Sequence, residues 1–241
     1  QLKVIGITGS YGKTSTKEFL KTILSEKFSV LATDKHKNSE MGVAQTILQN
    51  LNQKHEIFIV EMGAYKKGGI KLLSNIVKPE IGVVTGVNEQ HLALFGSLDN
   101  LLSAEGGREL LVKLPEHGLL VVNGSSKYCV ELYKKAKIRK LMYLVSSDVI
   151  RSDIWAEEVH MAKDHVSFVA LSQEKHMAQF LVPVLGRQHV QNLLGAILVA
   201  SDLGMTFEEI AVACRKIMPE QGGTTLYKGV HGIDVMDSSF S

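Results

Sequence analysis

The feature that most constrains how this 241-residue chain can fold is the exchange of short apolar runs for helical patterns through its first half. Strands are predicted over 3–8, 29–32, 56–61, 81–85, 118–123 and 140–145, and helices over 13–27, 41–51, 68–77, 98–114 and 127–137. The strands are β-branched and apolar almost throughout, which suits a parallel sheet covered on both faces. The expected fold is therefore α/β, a mostly parallel sheet flanked by helices. Right-handed crossovers bring all strand C-terminal ends to one edge, where open α/β sheets bind ligands.

The pattern changes near Ser146. Short, partly alternating segments at 154–160, 165–171 and 177–185 predict a small antiparallel patch at about 150–186, appended to the main sheet. Helical periodicity returns over 188–203 and 206–217, the second opening on Thr206 with Glu209 three residues later, a capping-box spacing. The tail, 224–236, reads as two strands around Gly232.

Charge sets the next limit. With 27 Lys+Arg against 25 Asp+Glu the formal net charge is +2, which gives no bulk attraction to nucleic acid or to a membrane surface. Any phosphate chemistry must be local. No apolar run approaches the roughly 20 residues a spanning helix needs. Two cysteines, Cys129 and Cys214, make no disulfide framework and fit a reducing, cytoplasmic setting. The chain opens Gln1-Leu2-Lys3 without an initiator Met and is read as a piece of a longer polypeptide.

The strongest local signal is Gly6-Ile7-Thr8-Gly9-Ser10-Tyr11-Gly12-Lys13-Thr14-Ser15-Thr16, between the first strand and the first helix. That context suits a phosphate loop. Glycines let the backbone close around phosphates with N–H groups inward, and the helix N-terminus adds its dipole. Lys13 would reach the terminal phosphates and the Thr14 hydroxyl would ligate Mg²⁺. The usual pattern has its first Gly where Ile7 stands, so the tight part is Gly9-x-x-Gly12-Lys13-Thr14.

That loop resembles the ATP-binding central domain of the Mur ligase family, ATP-dependent enzymes that join a carboxylate to an amino acid or dipeptide in cell-wall synthesis. Further segments resemble the branch that adds D-alanyl-D-alanine: Glu61-Met62-Gly63-Ala64, His91 with Phe95-Gly96-Ser97-Leu98, Leu114-Pro115-Glu116-x-Gly118, Val122-Asn123, and Gly186-Arg187-x-His189-x-x-Asn192. The ordered set spans roughly residues 3–200. On this resemblance residues 1–225 are the ATP-binding central domain and 226–241 begin the linker to a C-terminal domain, with flanking domains absent.

Glu61 closes a strand, and a carboxylate there can hold Mg²⁺ directly or through water; the alternative is a solvated strand-end glutamate. A lone histidine such as His91 is more often structural, and imidazole is not the preferred ligand of a hard cation. The resemblance implies a second-Mg²⁺ role for it. Where the family commonly has a CO₂-carbamylated lysine, this chain reads Ala104-Glu105-Gly106-Gly107-Arg108-Glu109. Glu105 is expected to supply a permanent carboxylate instead, with Glu109 as the competing assignment and a solvated helix glutamate as the alternative. A family Gly-Arg pair is also missing, the stretch here being Pro219-Glu220-Gln221-Gly222-Gly223-Thr224, and Arg187 is a candidate substitute for the phosphate contact.

The resemblance implies that Asn192 and its neighbourhood, including His189, meet the adenine base; an asparagine at a helix start is equally a cap. Asn123 is similarly open, the Asn38-Ser39 segment reads as a substrate-side loop or a cap, and Tyr11 as a wedge between loop and sheet. Gly9, Ser10, Tyr11, Gly12, Lys13, Thr14 and Ser15 are the expected nucleotide cradle, Lys13, His91 and Glu105 the catalytic set, and Thr14, Glu61 and His91 the metal set. The implied partners are ATP with Mg²⁺, a nucleotide-sugar peptide (UDP-N-acetylmuramoyl-tripeptide) and a dipeptide, with a monomer expected and this segment alone inactive. The alternatives are an ATP-binding regulatory or pseudo-enzyme relative, motivated by the missing Lys and Arg, and an amide ligase for a different amino acid. A switch- or motor-type NTPase would want an Asp closing a strand, where Glu61-Met62-Gly63-Ala64 stands instead.

Overall fold

The computed structural model describes residues 2–34, 37–145 and 152–218, together with strand segments at 225–228 and 234–237. Its centre is a nine-stranded sheet. Six strands, β1 (Lys3–Thr8), β2 (Val30–Ala32), β3 (Ile57–Glu61), β4 (Ile81–Val84), β5 (Leu119–Asn123) and β6 (Arg139–Leu144), run parallel, and β7 (Ile154–Met161), β8 (Val166–Ser172) and β9 (Met177–Val182) extend the sheet in the order β2-β3-β1-β4-β5-β6-β7-β8-β9. β7 joins β6 in parallel at Tyr143↔Ile154 and Leu144↔Trp155, and β8 and β9 then follow antiparallel. The small patch is thus continuous with the main sheet. Strand order reverses direction at β1, whose two neighbours are β3 and β4, which places a crevice at its C-terminal end.

Strand alternation divides the core between the two faces. Ile5, Ile7, Ile57, Ile59, Val83 and Val121 pack on one side with α1 (Lys13–Leu24), α8 (Gln188–Asp202) and α9 (Phe207–Cys214). Val4, Phe58, Val60, Val84, Leu120 and Val122 pack on the other. That second face is covered by α3 (Gly69–Val77), α5 (Leu98–Ser103), α6 (Arg108–Lys113) and α7 (Lys127–Lys135). Both faces of β1, β3, β4 and β5 are buried, as their near-continuous apolar sequences require, while β2 and β6 at the flanks of this group are partly exposed. The Thr206–Glu209 capping box is formed at the start of α9.

Two expectations are revised. The single helix over 98–114 is two helices, α5 and α6, separated by a break at Ala104–Gly107. Gly107 there has φ 79°, and a Cβ on it would lie 2.5 Å from Val84 Cγ2, so the break needs glycine for both conformation and close approach to the sheet. A short 3₁₀ turn (Glu89–His91) leading into α4 (Leu92–Phe95) was also not anticipated. The tail contains β10 (Thr225–Lys228) paired antiparallel with β11 (Asp234–Asp237). Gly232 and the 219–224 stretch lacking the Gly-Arg pair fall outside the described residues.

Candidate functional site at the phosphate-loop edge

The loop leaving β1 is built to approach an anion. Gly9 and Gly12 carry positive φ, 141° and 75°, and α1 starts at Lys13 with no side-chain cap and no acidic residue in its first turn. Its leading N–H groups and the dipole's positive end therefore face outward from the sheet edge. A Cβ at Gly12 would lie 2.5 Å from Asn192 Oδ1, so the loop is seated directly on α8. On its other flank Ser10 N–H donates to the Gly86 carbonyl (2.8 Å) and Thr85 Oγ1 donates to the Tyr11 carbonyl (2.5 Å). The Tyr11 ring closes over Gly86, the wedge that its position suggested.

Two buried carboxylates bracket this loop. Strand register places Glu61 beside Ile7, so the residue closing β3 stands next to the chain entering the loop. Glu61 Oε1 accepts from Thr14 Oγ1 (3.1 Å) and from the Asn38 amide (3.2 Å), and its N–H donates to Thr33 Oγ1 (3.0 Å). On the opposite flank the α5–α6 break aims Glu105 back at the loop. Its Oε2 accepts from Ser10 Oγ at 2.6 Å, and His91 Nδ1 lies 2.9 Å from Oε1 and 3.2 Å from Oε2. Glu105 is buried and His91 is 43% exposed, so the imidazole forms the solvent-facing side of this cluster.

Lys13 lies between them. Its Nζ donates to the Gly9 carbonyl at 2.6 Å. Burial pushes its ammonium below the ordinary lysine value, while the Glu105 and Glu61 carboxylates act in the opposite direction. The arrangement offers hard oxygen donors and fixed cations close to a helix N-terminus. Among the described residues no three His, Cys, Asp or Glu side chains converge on one point. A hydroxyl and a carboxylate oxygen 3.1 Å apart, Thr14 Oγ1 and Glu61 Oε1, fit Mg²⁺, since that ion takes one or two protein oxygens and completes its shell with phosphate and water. His91 is grouped with Glu105 and Ser10, separately from the Thr14–Glu61 cluster.

Glu109, the competitor of Glu105, turns away: it accepts from Gly68 N–H (2.7 Å), Lys71 N–H (2.9 Å) and Ser103 Oγ (3.1 Å), capping α3 where Gly68 has no side chain to do so. Asn192 is in the second turn of α8 rather than at its start, which removes the capping alternative. His189 packs edge-on against Phe19 with ring centroids 5.8 Å apart. Asn123 is used internally, donating to the Thr85 carbonyl (2.7 Å) and accepting from Gln191 (2.8 Å). Ser39 caps α2 (Glu40–Asn50), and Ser15 is half-buried in the first turn of α1. Arg187 is exposed at the start of α8. Sequence reasoning overlooked Lys17, fully buried one turn beyond Lys13; its signal was a lysine on the apolar face of α1, between Thr16 and Phe19.

A family model for the Mur ligase middle domain matches residues 7–200, all the elements that build this site. The chain belongs to the Mur ligase family. It is 30% identical over 208 residues to UDP-N-acetylmuramoyl-tripeptide--D-alanyl-D-alanine ligase of Escherichia coli K12, covering 86% of this chain and 45% of that protein. It is 27% identical over 239 residues to the enzyme of the same name from Bacillus subtilis 168, covering 99% and 50%. MurF from Acinetobacter baumannii superposes with a TM-score of 0.88 at 26% identity, over 98% of this chain and 50% of that one. MurF of Thermotoga maritima in complex with ADP shares the fold, with a TM-score of 0.81 at 23% identity over 98% and 52%. The chain spans about half the length of the curated relatives it matches. Against this Mur ligase background, the described residues contain no helix long and apolar enough to cross a membrane.

Proposed function

We propose that this Mur ligase middle domain is the ATP-using part of an ATP-dependent amide ligase that adds D-alanyl-D-alanine to UDP-N-acetylmuramoyl-tripeptide in the cytoplasm. The observation that carries the reading is the phosphate loop held between Glu61 and Glu105, with Lys13 in the field of both. The names of the relatives supply the substrates.

The substrate carboxylate attacks the γ-phosphorus of ATP, the bond to ADP breaks, and an acyl phosphate results. The dipeptide amine then attacks the acyl carbon; phosphate leaves with its electron pair and the nitrogen loses a proton, giving the amide. A carboxylate oxygen is a poor leaving group and phosphate a good one, which is why the activation precedes the bond. Lys13 and the N–H groups of the loop and first turn of α1 bind the migrating phosphoryl and oppose its charge. Thr14 and Glu61 are the residues that would hold Mg²⁺, which when bound neutralises phosphate charge. Glu105, fixed by Ser10 and His91, supplies the permanent carboxylate on the other flank. Asn192, seated against Gly12, borders the nucleotide where it leaves the loop.

Phosphate release from Mg·ATP by the natural full-length polypeptide tests the reading. It is expected to require UDP-N-acetylmuramoyl-tripeptide, D-alanyl-D-alanine and Lys13 together. ATP binding without release for any carboxylate–amine pair would favour the pseudo-enzyme reading, which the missing family Lys and Arg motivate. Release with another amine would keep the ligase and change its substrate.

A further inference from the structure

Lys17 lies one turn along α1 from Lys13, and its side chain is completely closed to solvent. Its ammonium faces Glu61 Oε2 at 3.4 Å and Glu18 Oε1 at 3.2 Å. Glu18 is 30% exposed and has water to share its charge; the Glu61 carboxylate is only 5% exposed and does not. The two oxygens of Glu61 are therefore in different situations. Oε1 is held by Thr14 and Asn38, whereas Oε2 is buried with no hydrogen-bond donor and faces the Lys17 ammonium. A buried charge is tolerated when an opposite charge is packed against it, and here that opposite charge is covalently part of the protein.

Lys13 and Lys17 stand against the two buried carboxylates, Glu61 and Glu105, beside the loop, with Glu18 on the solvent side of Lys17. A divalent ion arriving alone would approach a carboxylate that already has its counter-charge, and would be repelled by the ammonium 3.4 Å behind it. A nucleotide changes this, because its phosphates add several negative charges on the solvent side of Thr14 without displacing Lys17.

We infer that Lys17 is a built-in counter-cation for Glu61, which makes metal entry depend on the nucleotide's phosphates. The inference rests on the reading of Thr14 and Glu61 as the metal end of a nucleotide site. Lys17 is on this account a positioning residue; it acts through Glu61 and touches neither metal nor substrate.

Binding of Mn²⁺, followed by its electron paramagnetic resonance, tests this without turnover. The wild-type protein should bind Mn²⁺ alone at least about tenfold more weakly than in the presence of ADP. Lys17→Met should bind Mn²⁺ alone at least about tenfold more tightly than wild type. Adding Glu61→Gln to that variant should abolish the gain, and Lys17→Arg should behave as wild type. Equal Mn²⁺ affinity with and without ADP in wild type would overturn the inference, and so would a folded Lys17→Met variant with no gain. Lys17→Gln, which removes the charge but keeps a polar end at the buried position, should show the same gain as Lys17→Met, and its failure to do so would overturn the inference if Lys17→Met does not fold. Failure of wild type to bind ADP under any metal condition would instead overturn the nucleotide reading, and this inference with it.

Discussion

Ser10 Oγ and Glu105 Oε2 are 2.6 Å apart, although 95 residues separate them in the chain. This hydrogen bond ties the phosphate loop to the break between α5 and α6 and gives the Glu105 carboxylate a fixed orientation. If that carboxylate replaces a carbamylated lysine, substrate-dependent phosphate release should be the same in CO₂-depleted and bicarbonate-supplemented buffer. Glu105→Ala should lower the rate by about 100-fold or more, the scale of losing a preorganised charged group in a phosphoryl-transfer site. Bicarbonate dependence in the wild type would refute the assignment.

Removing Lys13 should act earlier, on binding. Its ammonium is partly desolvated before any phosphate arrives, so contacts to an anion are strong when they form. Lys13→Ala should weaken nucleotide binding by roughly 10- to 100-fold, matching about 1.5–3 kcal/mol for a lost charge-assisted hydrogen bond. Titration calorimetry with ADP is the direct check, and circular dichroism should show the fold unchanged.

Glu109 predicts the opposite profile. It satisfies two backbone donors at the start of α3 and touches nothing in the loop. Glu109→Ala should cost about 1–2 kcal/mol of stability, typical of a lost helix cap. At this chain length that corresponds to roughly 2–8 °C in Tm. Nucleotide affinity should not move, and a parallel loss of affinity would show that the two glutamates are not separable.

The thiols provide a test of packing. Burial pushes Cys129 up to about 11 and Cys214 up to about 12, from an ordinary value of 9.0. Both should resist thiol reagents in the native protein at pH 8 and react on unfolding. Because the folded values are raised, the unfolded chain loses these protons first. Stability should therefore fall as pH rises through 9 toward 11–12, and below 9 the thiols should leave it unchanged. Rapid labelling of native protein at pH 8 would contradict the packing.

Much of this architecture is legible in sequence because its determinants are local. The runs that became β1 to β6 carry apolar residues on both faces, and only a doubly covered parallel sheet uses such strands. The loop was readable because Gly9, Gly12, Lys13 and Thr14 sit between a strand and a helix. Glu61 was placed correctly at the same edge, since a strand-closing residue inherits its position from the strand. The failures involve partners remote in sequence. Apolar periodicity runs through 98–114, and the adjacent Gly106 and Gly107 were the only local sign that the helix stops. Nothing near Glu109 announces that Gly68, 41 residues away, needs its carboxylate. Lys17 carries a charge on a helix face that otherwise reads as core, and its buried ion-pair partner, Glu61, is 44 residues away at the end of β3.

On an uninterrupted helix Glu105 and Glu109, four residues apart, would share one face and repel each other. The break at Gly106–Gly107 separates them, turning one carboxylate toward the phosphate loop and the other toward the end of α3. The division between contact with the loop and capping of α3 in this segment is therefore a matter of backbone rotation rather than of side-chain chemistry. Two identical residues acquire unlike duties, and filling either glycine would put both at risk at once.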